Sequence, residues 1–378
     1  MSRVNRFDRM EWAGAFGDLG TLIPFVVAYI AVVHLDPFGV LLSFGIALIA
    51  CGLYYRTPFP VQPMKAIGAV AATQAAQTAT ITAASIYGAS LVTGLFWLVL
   101  GMTGGARILV QWVPRCVATG IVLGLGFGFM LDGIHRMSSA WLIAALGLFG
   151  TLLLLTNKRL PAMFLLLLFG ALCGYIQDPS VLHALLLTRP ALHLPHLALA
   201  HVSWHDLLIG AAFLALPQVP LTLGNAILAV REENNRLFPD RPVSDNRVAA
   251  STGLINLMAA ALGGVPMCHG AGGMAGHVAF GARTGGAPII LGSLLLVLAL
   301  GFSDSIETLF RLFPAAVLGV ILFLTGAQLV LGSWDPSTDR GERFITVMVA
   351  AAALWNVGLA FVAGLTLVGL RKAGRLHL

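Results

Sequence analysis

Two stretches decide how this chain folds: RTPFPVQPMKAIGAVAATQAAQ (Arg56–Gln77) and GGVPMCHGAGGMAGHVAF (Gly263–Phe280). In the first, Pro58, Pro60 and Pro63 forbid a regular helix up to Pro63, because each lacks a backbone donor and crowds the preceding turn. Helix can begin at Pro63–Met64, since proline suits a first turn. The residues that follow, Ala66, Gly68, Ala69, Ala71 and Ala72, are small and allow close helix packing. In the second stretch Gly263, Gly264 and Pro266 stop one helix, and another can start near Met267. Each new helix is too short to cross a bilayer, yet each lies within strongly apolar text. Two helices that begin in mid-membrane are therefore expected.

The surrounding composition agrees. The 378 residues are 58% apolar and 10% charged, with a mean hydropathy of +0.89. A soluble domain carries about 25% charged residues. Apolar runs long enough to span ~30 Å of hydrocarbon recur from end to end. The first begins at Trp12 behind Arg3, Arg6 and Arg9; it is long and lacks a small-residue cleavage site, so it reads as a membrane segment rather than a leader. Fourteen segments are expected, near 12–33, 39–54, 64–78, 86–104, 112–131, 139–156 and 160–177, then 206–230, 247–263, 267–280, 286–302, 310–331, 343–357 and 358–370.

The net charge of +6 is placed between the apolar runs, which fits the positive-inside rule better than nucleic-acid binding. With both termini cytoplasmic, most Arg and Lys fall on that side, while only Arg136, Arg189 and Arg311 fall opposite. That bias favours splitting Phe344–Leu370 into two short helices near Asn356–Gly358, which keeps Arg371, Lys372 and Arg375 inside. Lys65 alone is left within a membrane segment. Cys51, Cys116, Cys173 and Cys268 show no metal or disulfide spacing. The histidines between the halves (His183, His193, His196, His201, His205) are irregularly spaced, so no metal site and no cofactor are expected.

The halves resemble each other. Pro114 and Pro314 stand in matching contexts two hundred residues apart, and Gly126 and Gly326 share that offset. Pro63–Met64 corresponds to Pro266–Met267, and Pro24 to Pro220. Seven segments per half is odd, so the second copy must be inverted, the pattern of secondary transporters with interrupted helices. The repeats are expected over 1–190 and 191–378. Inversion would aim the two interrupted-helix starts at one cavity, where free N–H groups and two positive dipole ends make an anion site.

Each start carries an ionisable or polar group: Lys65 with Gln62 and Met64 in the first, His269 with Met267, Cys268 and Gly270 in the second. Ionisable residues at membrane depth are functional hypotheses. Asp18 and Thr21 share a face of the first segment; Asp18 is a candidate proton carrier or a partner for Lys65 or His269. Gln218, Thr222 and Asn225 share a face of the eighth, a neutral donor set suited to a tetrahedral oxyanion. No HExxH, nucleophile elbow or phosphate loop is present, and no catalytic residue is expected.

FGDLGTLIP (Phe16–Pro24), PVQPMKAI (Pro60–Ile67) and PMCHGAGGMAGHVAFGARTG (Pro266–Gly285) resemble the motifs of the molybdate transporter family, a branch of the sulfate-permease superfamily. The resemblance covers essentially the whole chain. It implies an all-α, 7+7 inverted-repeat membrane protein with a core domain (about 11–105 and 206–303) and a gate domain (about 106–178 and 304–371). It also implies substrate held between the starts of segments 3 and 10, where Gln218 and His269 match polar residues used by related nucleobase permeases, and an elevator-like motion; with the residues read above, the expected contacts are Gln62, Met64, Lys65, Thr21, Gln218, Asn225, Met267, Cys268, His269 and Gly270. The chain stops soon after the last segment, so the regulatory domain of typical sulfate permeases is not expected. The implied activity is proton-coupled molybdate import across a bacterial inner membrane. Sulfate transport and a passive anion channel are the alternatives, and a homodimer is a further expectation.

Overall fold

The computed structural model describes residues 4–73, 80–106, 108–109, 114–154, 162–187, 190–195, 197–333 and 339–376. Parts of the expected third, fifth, sixth and seventh segments, and His196, lie outside the described residues.

Local chemistry sets most helix starts. The Asp8 carboxylate accepts from Met10 and Glu11 N–H to open α1 (Arg9–Ala15). A tight turn, Phe16–Asp18, leads into α2 (Leu19–Ala31). Asp36 caps α3 (Pro37–Tyr55), whose first residue is proline. The prolines then hold the chain extended through β1 (Gln62–Pro63), and α4 (Lys65–Thr73) begins where expected. Thr82 and Ser85 form a capping box on α5 (Ala83–Thr103). Next come α6 (Arg115–Met137), α7 (Trp141–Leu154) and α8 (Ala162–Gln177).

Between the halves a loop was expected. Its first part is instead a helix, α9 (Pro179–Leu187), folded back by 106° from the end of α8. Pro179 forces that break, because helix cannot run through it from the preceding residue. Further on, His193 fastens the loop: its Nε2 lies 3.0 Å from Asp304, and its Nδ1 lies 3.1 Å from Ser303 Oγ.

The eighth segment was expected to end near residue 230. It continues as one helix, α10 (Trp204–Leu237), because Val230–Leu237 remains helical although polar. Two π-helical stretches, Gly210–Ala215 and Thr222–Ala229, flank the turn that holds Pro217 and Pro220. Each proline removes one helical donor, and the widened ladder accommodates the loss. Then come α11 (Asp245–Leu262), β2 (Met267–Cys268), α12 (Ala271–Ala279), α13 (Gly286–Phe302), α14 (Ile306–Arg311) and α15 (Ala315–Ser333). Gly263 ends α11 at φ +73°, a conformation that favours glycine. The final run does break in two, as α16 (Arg340–Trp355) and α17 (Val357–Lys372); Asn356 is extended, and its side chain caps the second helix.

Five of the described helices, α3, α5, α6, α10 and α13 with its short extension to Ser305, are each long and apolar enough to cross a membrane alone. The fold closes on itself through matched pairs. β1 and β2 pair antiparallel, Gln62 opposite Cys268 and Pro63 opposite Met267. α3 packs on α13, α5 on α11, and α6 on α15. At the last contact Gly126 meets Gly326: a Cβ on Gly126 would lie 2.8 Å from the Gly326 carbonyl oxygen, and one on Gly326 would overlap the Gly126 carbonyl. Only glycine permits that approach.

Candidate functional site

The β1–β2 pair brings the two interrupted helices together. Met64 N–H donates to Pro266 O at 2.9 Å, which seats the start of α4 beside the strand leading to α12. Met64 and Met267 are fully buried. On the outer edge of β2, the Asn256 side chain acts as a third strand: its Oδ1 accepts from Met267 N–H at 2.9 Å, and its Nδ2 donates to Met267 O at 2.6 Å. Nothing in the local sequence around Asn256 announces that role.

Several expected site residues are committed to holding this scaffold. Gln218 is buried, accepts from Ala66 N–H at 2.8 Å through Oε1, and donates to Thr222 Oγ1 at 3.0 Å through Nε2. It therefore caps the first turn of α4. Gln62 is buried and donates through Nε2 to Asp18 Oδ1. Asp18, a candidate partner for Lys65 or His269, forms no ion pair with Lys65 among the described residues and accepts from Gln62 instead. The side chain of Thr21 lies outside the described residues.

His269 precedes α12, which starts at Ala271, and its ring is engaged on both sides. Nδ1 lies 2.8 Å from Pro60 O, and Nε2 lies 2.8 Å from Ser251 Oγ. A carbonyl only accepts, so Nδ1 carries the proton and Nε2 accepts from the serine hydroxyl. Tyr55 OH, 2.6 Å from Ser251 Oγ, completes the chain. Phe59 packs edge-on against the imidazole, with ring centres 4.9 Å apart. The ring thus ties the strand leading to α12 to the strand leading to α4.

Other groups remain uncommitted. The Lys65 ammonium is half-buried and makes no hydrogen bond or ion pair among the described residues. Asn225 is half-buried and likewise makes none with its side chain. Gly270 stands at the N-cap of α12 and offers no side-chain cap, so the first-turn N–H groups keep no side-chain acceptor among the described residues. The geometry leaves room here. A Cβ on Gly272 or Gly224 would meet nothing within 4 Å, and both glycines are exposed. Gly270 is more confined: a Cβ there would overlap the Gln62 amide and lie 3.6 Å from Asn225 Nδ2. Asn225 and the uncapped N–H groups of α12 lie together at Gly270, and β1–β2 ties that start to the one carrying Lys65, a set of donors chemically matched to a small oxyanion.

One further residue belongs in this description. Tyr29 on α2 is fully buried, and its hydroxyl has no hydrogen-bond partner among the described residues. A Cβ on Gly68, one turn into α4, would lie 3.4 Å from that hydroxyl. In the sequence Tyr29 stands in an apolar run and gives no signal.

Known proteins resemble this chain at three levels. A family model described as "Molybdate transporter of MFS superfamily" matches residues 10–129 and 210–329, two stretches whose starts are two hundred residues apart. "Molybdate transporter 2" of Arabidopsis thaliana is 32% identical, with 96% of this chain and 87% of that protein covered. "Molybdate transporter 1" of Chlamydomonas reinhardtii is 30% identical, with 94% and 90% covered. Among solved structures, the transmembrane domain of the cyanobacterial bicarbonate transporter BicA superposes with a TM-score of 0.66 at 16% identity, covering 95% of this chain and 98% of that one. Murine Slc26a9, an anion transporter in the inward-facing state, gives 0.72 at 13%, covering 100% and 70%. At those identities the structural likeness concerns the fold. The family match and the relatives together show that this multi-pass membrane protein belongs to the molybdate transporter family, a family of transporters and not of enzymes.

Proposed function

We propose that the chain is a secondary active transporter that imports molybdate, with substrate bound between the starts of α4 and α12. One observation carries the reading: Lys65, at the first turn of α4, presents an ammonium with no partner among the described residues, at a helix start that the β1–β2 pair ties to the strand leading into the uncapped α12. An ionisable side chain kept unpaired inside a membrane protein needs a charged ligand to justify its cost. The relatives' names supply the oxyanion. Gln218, Gln62, His269, Met64 and Met267 act as the frame that fixes those donors, while Cys268, Gly270 and Thr21 remain proposed contacts.

The transport cycle follows the same reading. Residues of about 11–105 and 206–303 move as a core against a gate of about 106–178 and 304–371, and the halves act as a seven-plus-seven inverted repeat. Asp18, hydrogen-bonded to Gln62 next to the anion site, takes up the coupled proton. Both termini lie on the cytoplasmic side of a cell membrane, the side that receives most of the basic residues.

The test is a competition series on purified protein with molybdate, tungstate, sulfate, bicarbonate and uracil. Molybdate should bind and Lys65→Met should weaken it at least tenfold, while thermal stability stays the same or rises because an unpaired charge is gone. Sulfate or uracil binding in the absence of molybdate binding would overturn the substrate assignment. Uptake indifferent to a pH gradient and to Asp18→Asn would remove the proton from the cycle.

A further inference from the structure

We propose that the end of the core carrying the N-terminal arm is a binding site for an anionic glycerophospholipid. The site is separate from the anion site between α4 and α12, and its test does not depend on what that site carries.

The arm is strapped to the turn between α12 and α13. Arg6 N–H donates to Thr284 Oγ1 at 3.1 Å, and Asn5 bridges Gly285 N–H and Gly52 O, each at 3.1 Å. Glu11 is fully buried, and its carboxylate accepts from the N–H groups of Arg283, Thr284 and Ala287 at 2.9–3.1 Å. The start of α13 therefore already has its anion, and a free helix terminus is not what makes this site.

Two adjoining concavities remain between the strap and α13. The first, about 540 Å³, is lined by Val4, Arg6, Arg283 and Thr284. Arg6 is 3.8 Å from both Asp8 and Glu11, beyond hydrogen-bond length, so its guanidinium donors are unspent among the described residues. Arg283 uses one terminal nitrogen on the Val278 and Ala282 carbonyls. Asp8 and Glu11 balance the two guanidiniums in formal charge, but the Glu11 carboxylate is buried on three N–H groups and Asp8 Oδ1 is spent on its own helix start, so the charged groups lining the concavity are the two arginines.

The second concavity, about 280 Å³, is lined by Phe7 and Trp12 of the arm and by Ile290, Ser293, Leu294 and Val297 of α13. Residues 290, 294 and 297 are spaced i, i+4, i+7 and form one helix stripe. From 290 to 297 that stripe runs ~10 Å along the helix axis, away from the arginines. Phe7 and Trp12 are exposed, an aromatic pair of the kind that settles at a bilayer interface. A guanidinium pocket at a helix end, with an apolar groove beginning at the next residue of the arm and descending the same helix, fits one ligand class: a phosphate headgroup with an acyl chain below it. A soluble anion would leave the groove unused, and a zwitterionic lipid would set its own ammonium against the arginines.

The experiment uses the delipidated full-length protein and native mass spectrometry, titrating phosphatidylglycerol and phosphatidylcholine with identical acyl chains. Phosphatidylglycerol should be retained preferentially. Arg6→Gln should weaken it about fivefold, the effect of one basic side chain near a headgroup. Ser293→Trp, an exposed position in the groove, should weaken it at least as much while leaving Arg6 in place. Arg6→Gln leaves the strap intact, since the strap uses the Arg6 backbone. Equal retention of the two lipids, or a preference that survives both substitutions, would overturn the proposal. Displacement of the lipid by inorganic phosphate at equal concentration would make this a small-anion pocket and would also overturn it.

Discussion

Lys65 opens α4 and His269 stands two residues before α12, and the two are in opposite states in the fold. Both were legible as ionisable groups at helix starts in apolar text. What the sequence could not convey is that the histidine has two acceptor–donor partners, Pro60 and Ser251, while the lysine has none among the described residues. Those partners lie 209 and 18 residues away, and a short-range pattern carries no trace of the first. Tyr29 was illegible for the complementary reason: an aromatic in an apolar run is ordinarily core, and its distinction is a hydroxyl left without a partner. That distinction separates binding from structure. In the empty protein the hydroxyl is buried and unsatisfied, so Tyr29→Phe should leave the unfolding temperature unchanged or raise it. A hydrogen bond to a charged acceptor contributes about 1.5–3 kcal/mol, so molybdate affinity should fall about tenfold or more. Isothermal titration and thermal unfolding on the same preparation give both numbers; a loss of stability with affinity unchanged would assign the hydroxyl a purely structural place.

Elements were more legible than contacts. The prolines at 58, 60 and 63, and the Gly263–Pro266 stop, marked where helix is impossible, and the chain is extended at both places. Asn356 marked the last break. Two helices lie beyond the expected segments: α10 continues seven residues past Val230 through polar text, and α9 forms from a short apolar stretch between residues 178 and 205. Helix persists at the end of α10 because Asn234 is buried there, accepting from Thr57 Oγ1 and donating to Arg241 O. The pairing of β1 with β2 also needed a side chain that no pattern flags. Asn256→Leu would strand the N–H and C=O of Met267 in a buried place, and each orphan group costs about 1–3 kcal/mol. A destabilisation of about 2–4 kcal/mol is expected, together with loss of anion binding as α12 shifts. Asn256→Asp keeps the acceptor for Met267 N–H and loses the donor to Met267 O, so it should fall between wild type and leucine. Unfolding midpoints of the three proteins check the order; a leucine variant as stable as wild type would show that β2 holds its place without the amide.

At the scale of the whole molecule, the proposed division into core and gate makes a mechanical claim. Phe25 of α2 and Phe129 of α6 meet edge to face with ring centres 5.2 Å apart, a contact between the proposed core and the proposed gate. By contrast, α6 and α15 are locked together inside the gate through the Gly126–Gly326 approach, where neither backbone can slide past the other without a clash. If transport moves the core as a rigid body, the Phe25–Phe129 contact must break in each cycle and the Gly126–Gly326 contact must not. Cysteines at 25 and 129, in a background lacking Cys51, Cys116, Cys173 and Cys268, can be joined by a short thiol-reactive cross-linker in reconstituted vesicles. Molybdate uptake should then fall to background, while the same double variant without cross-linker transports and the cross-linked protein still binds substrate in detergent. A second pair placed at the ends of α6 and α15 should cross-link without loss of uptake. Full uptake with 25 and 129 joined would mean that these two surfaces never part, and the anion would have to reach both sides by local gating around a stationary core.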